Sequence, residues 1–366
     1  MSEWKTVRLG DYITEYSVKN KSNEDIPVYS VTNTQGFCTE YFSKDVSSKD
    51  KSNYKIVPRG CFAYNPSRIN VGSVDWQRYE DRVIVSPLYN VFKVSPELEN
   101  QYLYYFLKSD IGHTLITSKA EGSVRDNLKI TMLAEFSIPL PPLEEQKQIA
   151  EQLDKCSALI AKCKLMLEKY DTLIKSRFIE MFGDPVTNSK NWNLKKLGDL
   201  LESIRYGTST PPVFSKTGYA FIRATNIKKG KIVNDDMKYI SEEETKKISK
   251  CKLNGNEILI VRSGVNSGDT CVVTKEYINQ YAGYDMILVL GNQINPIYLN
   301  ELLNTNYMEK MIKPLTRRAA QPHLNSEQTQ SLPIILPPLS LQNDFAAFVQ
   351  QIDKSKFEYT NTGVAA

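Results

Sequence analysis

The sequence predicts an α+β protein: two repeats of one mixed α/β module, joined by long helices that form an antiparallel coiled coil, the second helix shortened. Three observations predict it. Ser67 and Ser263, Gly72 and Gly268, Tyr102 and Tyr298, Leu128 and Leu324, and Pro142 and Pro338 are each 196 positions apart, and one offset held over five positions marks two copies of one unit. Each copy closes on the same phrase, IPLPPLEEQKQIAEQLDK over 138–155 and IILPPLSLQNDFAAFVQQIDK over 334–354. Between the copies, Ile149, Leu153, Cys156, Ile160, Cys163, Leu167, Tyr170 and Ile174 recur at alternating steps of four and three. That is a heptad seam, with charged residues on the other faces.

The elements follow in chain order. Each module opens with Trp followed five residues on by Leu-Gly-Asp, at Trp4 and at Trp192. Strand-like runs, rich in β-branched and aromatic residues and bounded by Gly, Pro, Asn and Ser, lie at 26–31 and 83–94 in the first copy, and at 219–223, 257–262 and 286–290 in the second. A helix is predicted over 96–109 and again over 296–312, each with Pro at its start. The Pro-Pro pair then starts a helix over 143–181, about 58 Å long at roughly 1.5 Å per residue. Gly183-Asp184-Pro185 ends it.

The second such helix, 339–357, carries Phe345, Phe348 and Ile352 on its seam and is about half as long. Paired antiparallel, it would cover only the half of the first helix beyond Cys163, leaving Ile149, Leu153, Cys156 and Ile160 without an intramolecular partner. The predicted organisation is a first module 1–142, a spacer helix 143–181, a linker 182–191, a second module 192–338, a short helix 339–357 and a tail 358–366.

Composition sets limits. The chain has 366 residues, a hydrophobic share of 41% and a net charge of +4, too weak a basic excess to establish nucleic-acid binding alone. Six Cys and two His without a C-x-x-C pair argue against a zinc site. Free reduced thiols, an N-terminus without a signal-peptide core and the lack of a membrane-length apolar run predict a cytoplasmic protein with no membrane contact.

In order and duplication, these features resemble the DNA-specificity (S) subunit of Type I restriction–modification systems. The residues that carry the resemblance are W-x-x-x-x-L-G-D through L-P-P-L-x-x-Q in both copies, the helix between them, FIRATNI at 221–227 and EILIVRSGVNSGD at 257–269. The resemblance implies a non-catalytic protein. Its two target-recognition domains would read the halves of a split site on double-stranded DNA, and its helices would dock two methyltransferase subunits. Restriction subunits would join them, and S-adenosylmethionine, ATP and Mg would bind those partners, leaving this chain without a cofactor. Half-sites on one face of B-DNA lie about 34–36 Å apart or at multiples of that, a spacing suited to a rigid helical ruler. The uncovered seam would be satisfied by a methyltransferase subunit or by self-association with another copy of this chain.

Candidate DNA contacts fall in matched loops. Arg68 and Asn70 stand in NPSRINVGS, and Arg262, Ser263 and Asn266 in the corresponding turn. Arg and Asn there suit base edges or phosphates, against a bland role in capping the turn. Arg125 and Asn127 correspond to a basic-amide cluster of Arg317, Arg318, Gln321 and His323 ahead of the second L-P-P. Arg317 and Arg318 suit phosphates, and Gln321 suits adenine. Arg205 and Tyr206 head a Gly/Ser/Pro loop able to follow a phosphate backbone. Thr32-Asn33 and Thr225-Asn226 read better as strand-ending turns, Lys228, Lys229 and Lys231 as a solvated turn, and Cys156 and Cys163 as seam residues rather than ligands.

Rival readings rest on less. Tyr64-Asn65-Pro66-Ser67 faintly resembles the N-P-P-Y motif of a stand-alone adenine methyltransferase but lacks the second Pro and the aromatic that stacks on a flipped base. Glu242–Glu244 with Lys246 and Lys247 hint at a nuclease without a paired Asp for Mg²⁺. A coiled-coil scaffold that never touches DNA would leave two elaborate modules unexplained.

Overall fold

In the computed structural model, residues 4–39, 50–120, 127–316 and 323–364 are described. Contacts divide the chain into two compact units, Met1–Ile160 and Ala161–Ala366, with the division inside the long helix.

In the first unit, β1 (Lys5–Arg8) leads through the Leu9–Asp11 turn into β2 (Ile13–Glu15). After an irregular region come β3 (Phe62–Tyr64), β4 (Val74–Trp76), β5 (Asn90–Val94) and α1 (Asn100–Lys108); β6 (Ser137–Leu140) returns to pair with β1, and α2 (Leu143–Phe182) follows. Strands β2-β5-β3-β4 form one antiparallel sheet, with Phe62 opposite both Phe92 and Trp76. Alternate side chains of its strands, Phe62, Tyr64 and Phe92 among them, meet Leu103 on α1 and Leu9, Leu128, Leu133 and Ile138 in the main core.

The second unit repeats the plan as β7 (Asn193–Lys196), β8 (Leu201–Tyr206), β9 (Ile258–Ile260), β10 (Thr270–Val272), β11 (Met286–Leu290), α3 (Pro296–Leu303), β12 (Pro333–Leu336) and α4 (Leu339–Val364). Its sheet order is β8-β11-β9-β10, with Ile258 opposite both Leu288 and Val272. Ile258, Val272 and Leu288 are each 196 residues beyond Phe62, Trp76 and Phe92, so the repeat extends to strand register. The opening Trp residues are only 188 apart, so the second copy holds eight more residues before β9. That region, joined by Tyr281–Ala282, forms a second four-stranded sheet around 219–222, where the described residues of the first copy form two-stranded ladders.

Several predicted boundaries move, each for a local reason. The 83–94 run is two strands, Arg82–Val85 and β5, because Pro87 interrupts the ladder. Helix α1 starts four residues after Pro96, where Glu99 caps it by accepting from the Tyr102 N–H at 2.6 Å. Helix α3 does begin at Pro296, under an Asn295 cap, but stops at Leu303; the chain continues through a π turn at Met308–Ile312. Helix α4 runs to Val364, so residues 358–364, expected as tail, continue it.

The long helix α2 has 40 residues, about 60 Å. Glu144 and Glu145 in its first turn suit the positive end of the helix dipole. Gly183, at φ 77°, terminates it and donates to the Ile179 carbonyl at 2.8 Å. Trp192 then donates to the freed Phe182 carbonyl at 2.9 Å.

Helices α2 and α4 pair antiparallel inside the second unit: Phe345 packs against Phe178 and Phe182, whereas Lys356, eleven residues on, pairs with Asp171 at 2.6 Å. Ile174, Phe345 and Ile352 are buried in that core, with Tyr170 and Phe348 packed on it. The buried stripe goes on from Ile174 to Phe178 and Phe182, beyond the predicted seam, because steps of four suit a straight helix lying on a module. Two seam predictions change. Ile149 is not uncovered: it packs on the first module's core. Cys163 and Leu167 are only half-buried. Leu153 (38% exposed), Cys156 and Ile160 (55%) are exposed, as predicted for a seam without an intramolecular partner. No helix among the described residues is long and apolar enough to cross a membrane.

Candidate nucleic-acid interface

Both sheets present a turn at the same end, and the frame beneath it is built twice. Gly72 and Gly268 hold φ 88° and 95° at the close of these turns, a conformation that glycine adopts without a steric penalty. Behind the first turn the Leu128 N–H donates to the Pro66 carbonyl at 3.1 Å; behind the second the Leu324 N–H donates to the Arg262 carbonyl at 2.9 Å. These straps bring the residue preceding each Leu, Asn127 and His323, to the foot of its turn. A lysine braces each turn from the helical side. Lys108 donates to the Gly72 and Asn33 carbonyls, and Lys313 donates to the Ser267 carbonyl and Asp269 at 3.1 Å. Burial pulls the Lys108 pKa down.

On this shared frame the side chains differ. The first turn carries an exposed Arg68, and its half-buried Asn70 lies beside Asn33, Lys108 and His113 around a shallow pocket that Ile69, Val71 and Ile116 also line. The second gathers Arg262, Ser263, Asn266 and His323, with Ser263 Oγ and His323 Nδ1 2.9 Å apart. Val265, 92% exposed, forms its tip.

Arg205 and Tyr206 do not head a loop; they end strand β8 and so face opposite sides of the sheet. Arg205 pairs with buried Glu257 at 2.9 Å and donates to the Lys250 and Lys252 carbonyls at 3.0 Å. The terminal nitrogens of Arg205, expected as a DNA contact, thus bond within the module. Tyr206 does reach the interface. Its ring lies 4.4 Å from the Arg262 guanidinium carbon, and the Tyr284 ring lies 4.6 Å from it. Gly207 makes this possible, because a β-carbon there would collide with the Gly283 carbonyl. Next to them Asp285 is buried and accepts from the Arg262 N–H at 3.3 Å. Burial pushes its carboxyl pKa up to about 6, with Arg262 opposing the shift.

Tyr284 and Asp285 escape sequence reasoning because nothing local marks them; only the pairing of β8 with β11 carries Tyr284 to Tyr206. Arg125, Arg317, Arg318 and Gln321 lie outside the described residues.

The turn readings hold elsewhere. Thr32 Oγ1 accepts from the Gln35 N–H at 3.1 Å. Asn226, fully buried, accepts from the Arg223 N–H and donates to two carbonyls. Lys228 pairs with Asp235 and Lys231 with Asp353. Tyr64, in the methyltransferase-like stretch, is a buried core residue whose hydroxyl donates to the Leu128 carbonyl at 3.0 Å, which removes it as a stacking ring. Glu244 pairs with Lys247 and accepts from the Val213 N–H. Among the described residues no cluster of His, Cys, Asp and Glu has metal-binding form.

Comparison with known proteins agrees with this duplicated plan. The family model of the Type I restriction modification DNA specificity domain matches residues 1–169 and again 189–364. The EcoKI specificity subunit of Escherichia coli K12 is 24% identical over 279 residues, covering 71% of this chain and 59% of the relative. The chain therefore spans less than two thirds of that relative's length. The MjaVIII specificity subunit of Methanocaldococcus jannaschii is 22% identical over 378 residues, covering 96% and 86%. The crystal structure of a Type I restriction-modification S subunit from M. genitalium shares the fold, with a TM-score of 0.60 at 15% identity over 99% of this chain and 92% of that one.

Proposed function

Because this chain belongs to the Type I restriction–modification DNA-specificity family, we propose that it is the DNA-reading, non-catalytic subunit of such a complex and recognises a two-part site on double-stranded DNA. The observation that carries the reading is one frame built twice with different side chains on it: the straps to Leu128 and Leu324 match, but the turns they hold do not. A repeated frame positions two readers alike, and differing side chains let each select its own bases. Residues 1–142 and 192–338 are the proposed target-recognition domains. Arg68, Asn70, Arg125 and Asn127 serve the first; Tyr206, Arg262, Ser263, Asn266, Arg317, Arg318, Gln321 and His323 serve the second.

The remaining assignments follow from the same reading. Two methyltransferase subunits and the restriction subunits carry the chemistry, and S-adenosylmethionine, ATP and Mg bind to them rather than to this chain. The exposed Leu153, Cys156 and Ile160 on α2 support docking of a methyltransferase subunit or a second copy along that face. The same reading puts the proposed complex in the cytoplasm.

The reading is tested by incubating the chain with its methyltransferase subunits and a random duplex library, then sequencing the bound DNA. Two specified half-sites around a fixed run of unspecified bases are expected. A continuous motif, or no motif, contradicts the reading; methyl transfer by this chain alone would favour the methyltransferase alternative.

A further inference from the structure

We infer that Arg262, flanked by the rings of Tyr206 and Tyr284, reads a guanine in the half-site of the second module; this deepens the DNA-reading role above and rests on it. The argument begins with an unmet hydrogen bond. Arg78, Arg205 and Arg223 each donate to a carboxylate. Among the described residues the Arg262 guanidinium donates to nothing: its Nε is buried without a partner, as are those of Arg78 and Arg223, but unlike theirs its terminal nitrogens meet no carboxylate. Arg262 itself is only half-buried. Folding thus keeps a cation with free donors at an open sheet end, a costly arrangement unless an acceptor arrives from outside.

The two tyrosines define what that acceptor is. Each ring centroid lies within 4.6 Å of the guanidinium carbon, so the two rings confine the group before anything binds. Tyr206 (42% exposed) and Tyr284 (43%) are themselves open to solvent. A planar, preoriented fork matches an acceptor pair in one plane, and guanine offers O6 and N7 in the major groove in that arrangement. A phosphate also accepts bidentately from such a fork, so base preference and salt dependence are what separate the two acceptors. Ser263 and Asn266 on the same turn stand ready for neighbouring bases. The first module has Pro66 and Leu88 at the positions 196 residues before Arg262 and Tyr284, and its own ring-flanked arginine, Arg78 beside Trp76 and Tyr104, is engaged by Asp75.

The test is the bound-library experiment run on the complex with the natural chain, Arg262→Ala, Arg262→Lys and Tyr284→Leu, with folding of each checked by circular dichroism. In the natural complex one position of the second half-site should be guanine. Arg262→Ala should erase that preference by roughly 5- to 150-fold while leaving the first half-site intact. Arg262→Lys, which keeps charge but loses the fork, should keep overall binding and lose most of the preference. Tyr284→Leu should weaken the preference more than the affinity, as a positioning residue would. If Arg262→Ala leaves every base preference unchanged and instead lowers the salt dependence of binding by about one phosphate contact, Arg262 is a phosphate ligand and the inference is overturned. A bipartite motif without guanine in that half also overturns it, whereas absence of any motif in the natural complex sinks the DNA-reading role itself.

Discussion

Phe182→Ala is expected to destabilise the second unit by about 3–5 kcal/mol. The Phe182 side chain is fully buried, with ring centroids 5.0 Å from Phe178, 4.8 Å from Tyr298 and 5.4 Å from Phe345. Truncation removes its transfer free energy, opens a cavity among three aromatic rings and loses edge-to-face contacts worth roughly 0.5–1.5 kcal/mol each. For a unit of this size the melting temperature should fall by roughly 10 °C. Ile179→Ala on the same helix, at a position 44% exposed, should stay within about 0.5 kcal/mol of the natural chain. Thermal unfolding gives the size, and amide hydrogen exchange gives the place: protection should drop in 161–366 and hold in 1–160. A Phe182→Ala loss under about 1 kcal/mol would show that the end of α2 is not part of the second core.

The second large effect tests the duplication through energy. Gln146 and Gln342 are fully buried and make one pattern twice. Their Oε1 atoms accept from the Glu99 and Asn295 N–H groups, both at 2.8 Å. Their Nε2 atoms donate to the Pro141 and Pro337 carbonyls, both at 2.9 Å, and to the Glu97 and Gln293 carbonyls at 3.0 and 3.4 Å. Each glutamine thus ties the start of a long helix to the start of α1 or α3. Leu has similar volume but bonds none of these groups, and an unmet buried group costs about 1–3 kcal/mol. Gln146→Leu and Gln342→Leu should each cost about 3–5 kcal/mol, and the two costs should agree within about 1 kcal/mol. Denaturant titration of each variant checks both size and match. A large difference between them would mean that the repeated geometry does not carry repeated energetics.

These glutamines also show how much of the fold was legible. L-P-P-L-x-x-Q was visible as a repeated phrase, and the repeat it marks proved to include strand register. Its reason was not visible, because two of the three partners of Gln146 lie 47 and 49 residues earlier. The long helix was legible to within a residue at its end, since Gly183 and Pro185 are local signals. The π turn after α3 was not, because no residue in 304–312 forbids a helix there. The candidate site was legible where loops match by offset: Arg68, Asn70, Ser263 and Asn266 do stand on equivalent turns. It failed where function depends on pairing between distant strands. Arg205 and Tyr206 are neighbours in sequence, yet one locks onto Glu257 inside the module while the other flanks Arg262 outside. Only the alternation of β8, whose extent the local sequence left open, separates them.

The central claim is that two copies of one reader each select their own part of the DNA target. The most direct measurement is sequencing of the bound library for two variants of the complex, one with Arg68 and Asn70 changed to Ala, the other with Ser263 and Asn266 changed to Ala. Each variant should alter base preference in one half-site and leave the other half, and the number of bases between them, as in the natural complex. If either variant changed both halves together, or if both variants changed the same half, the claim of two independent readers would be contradicted.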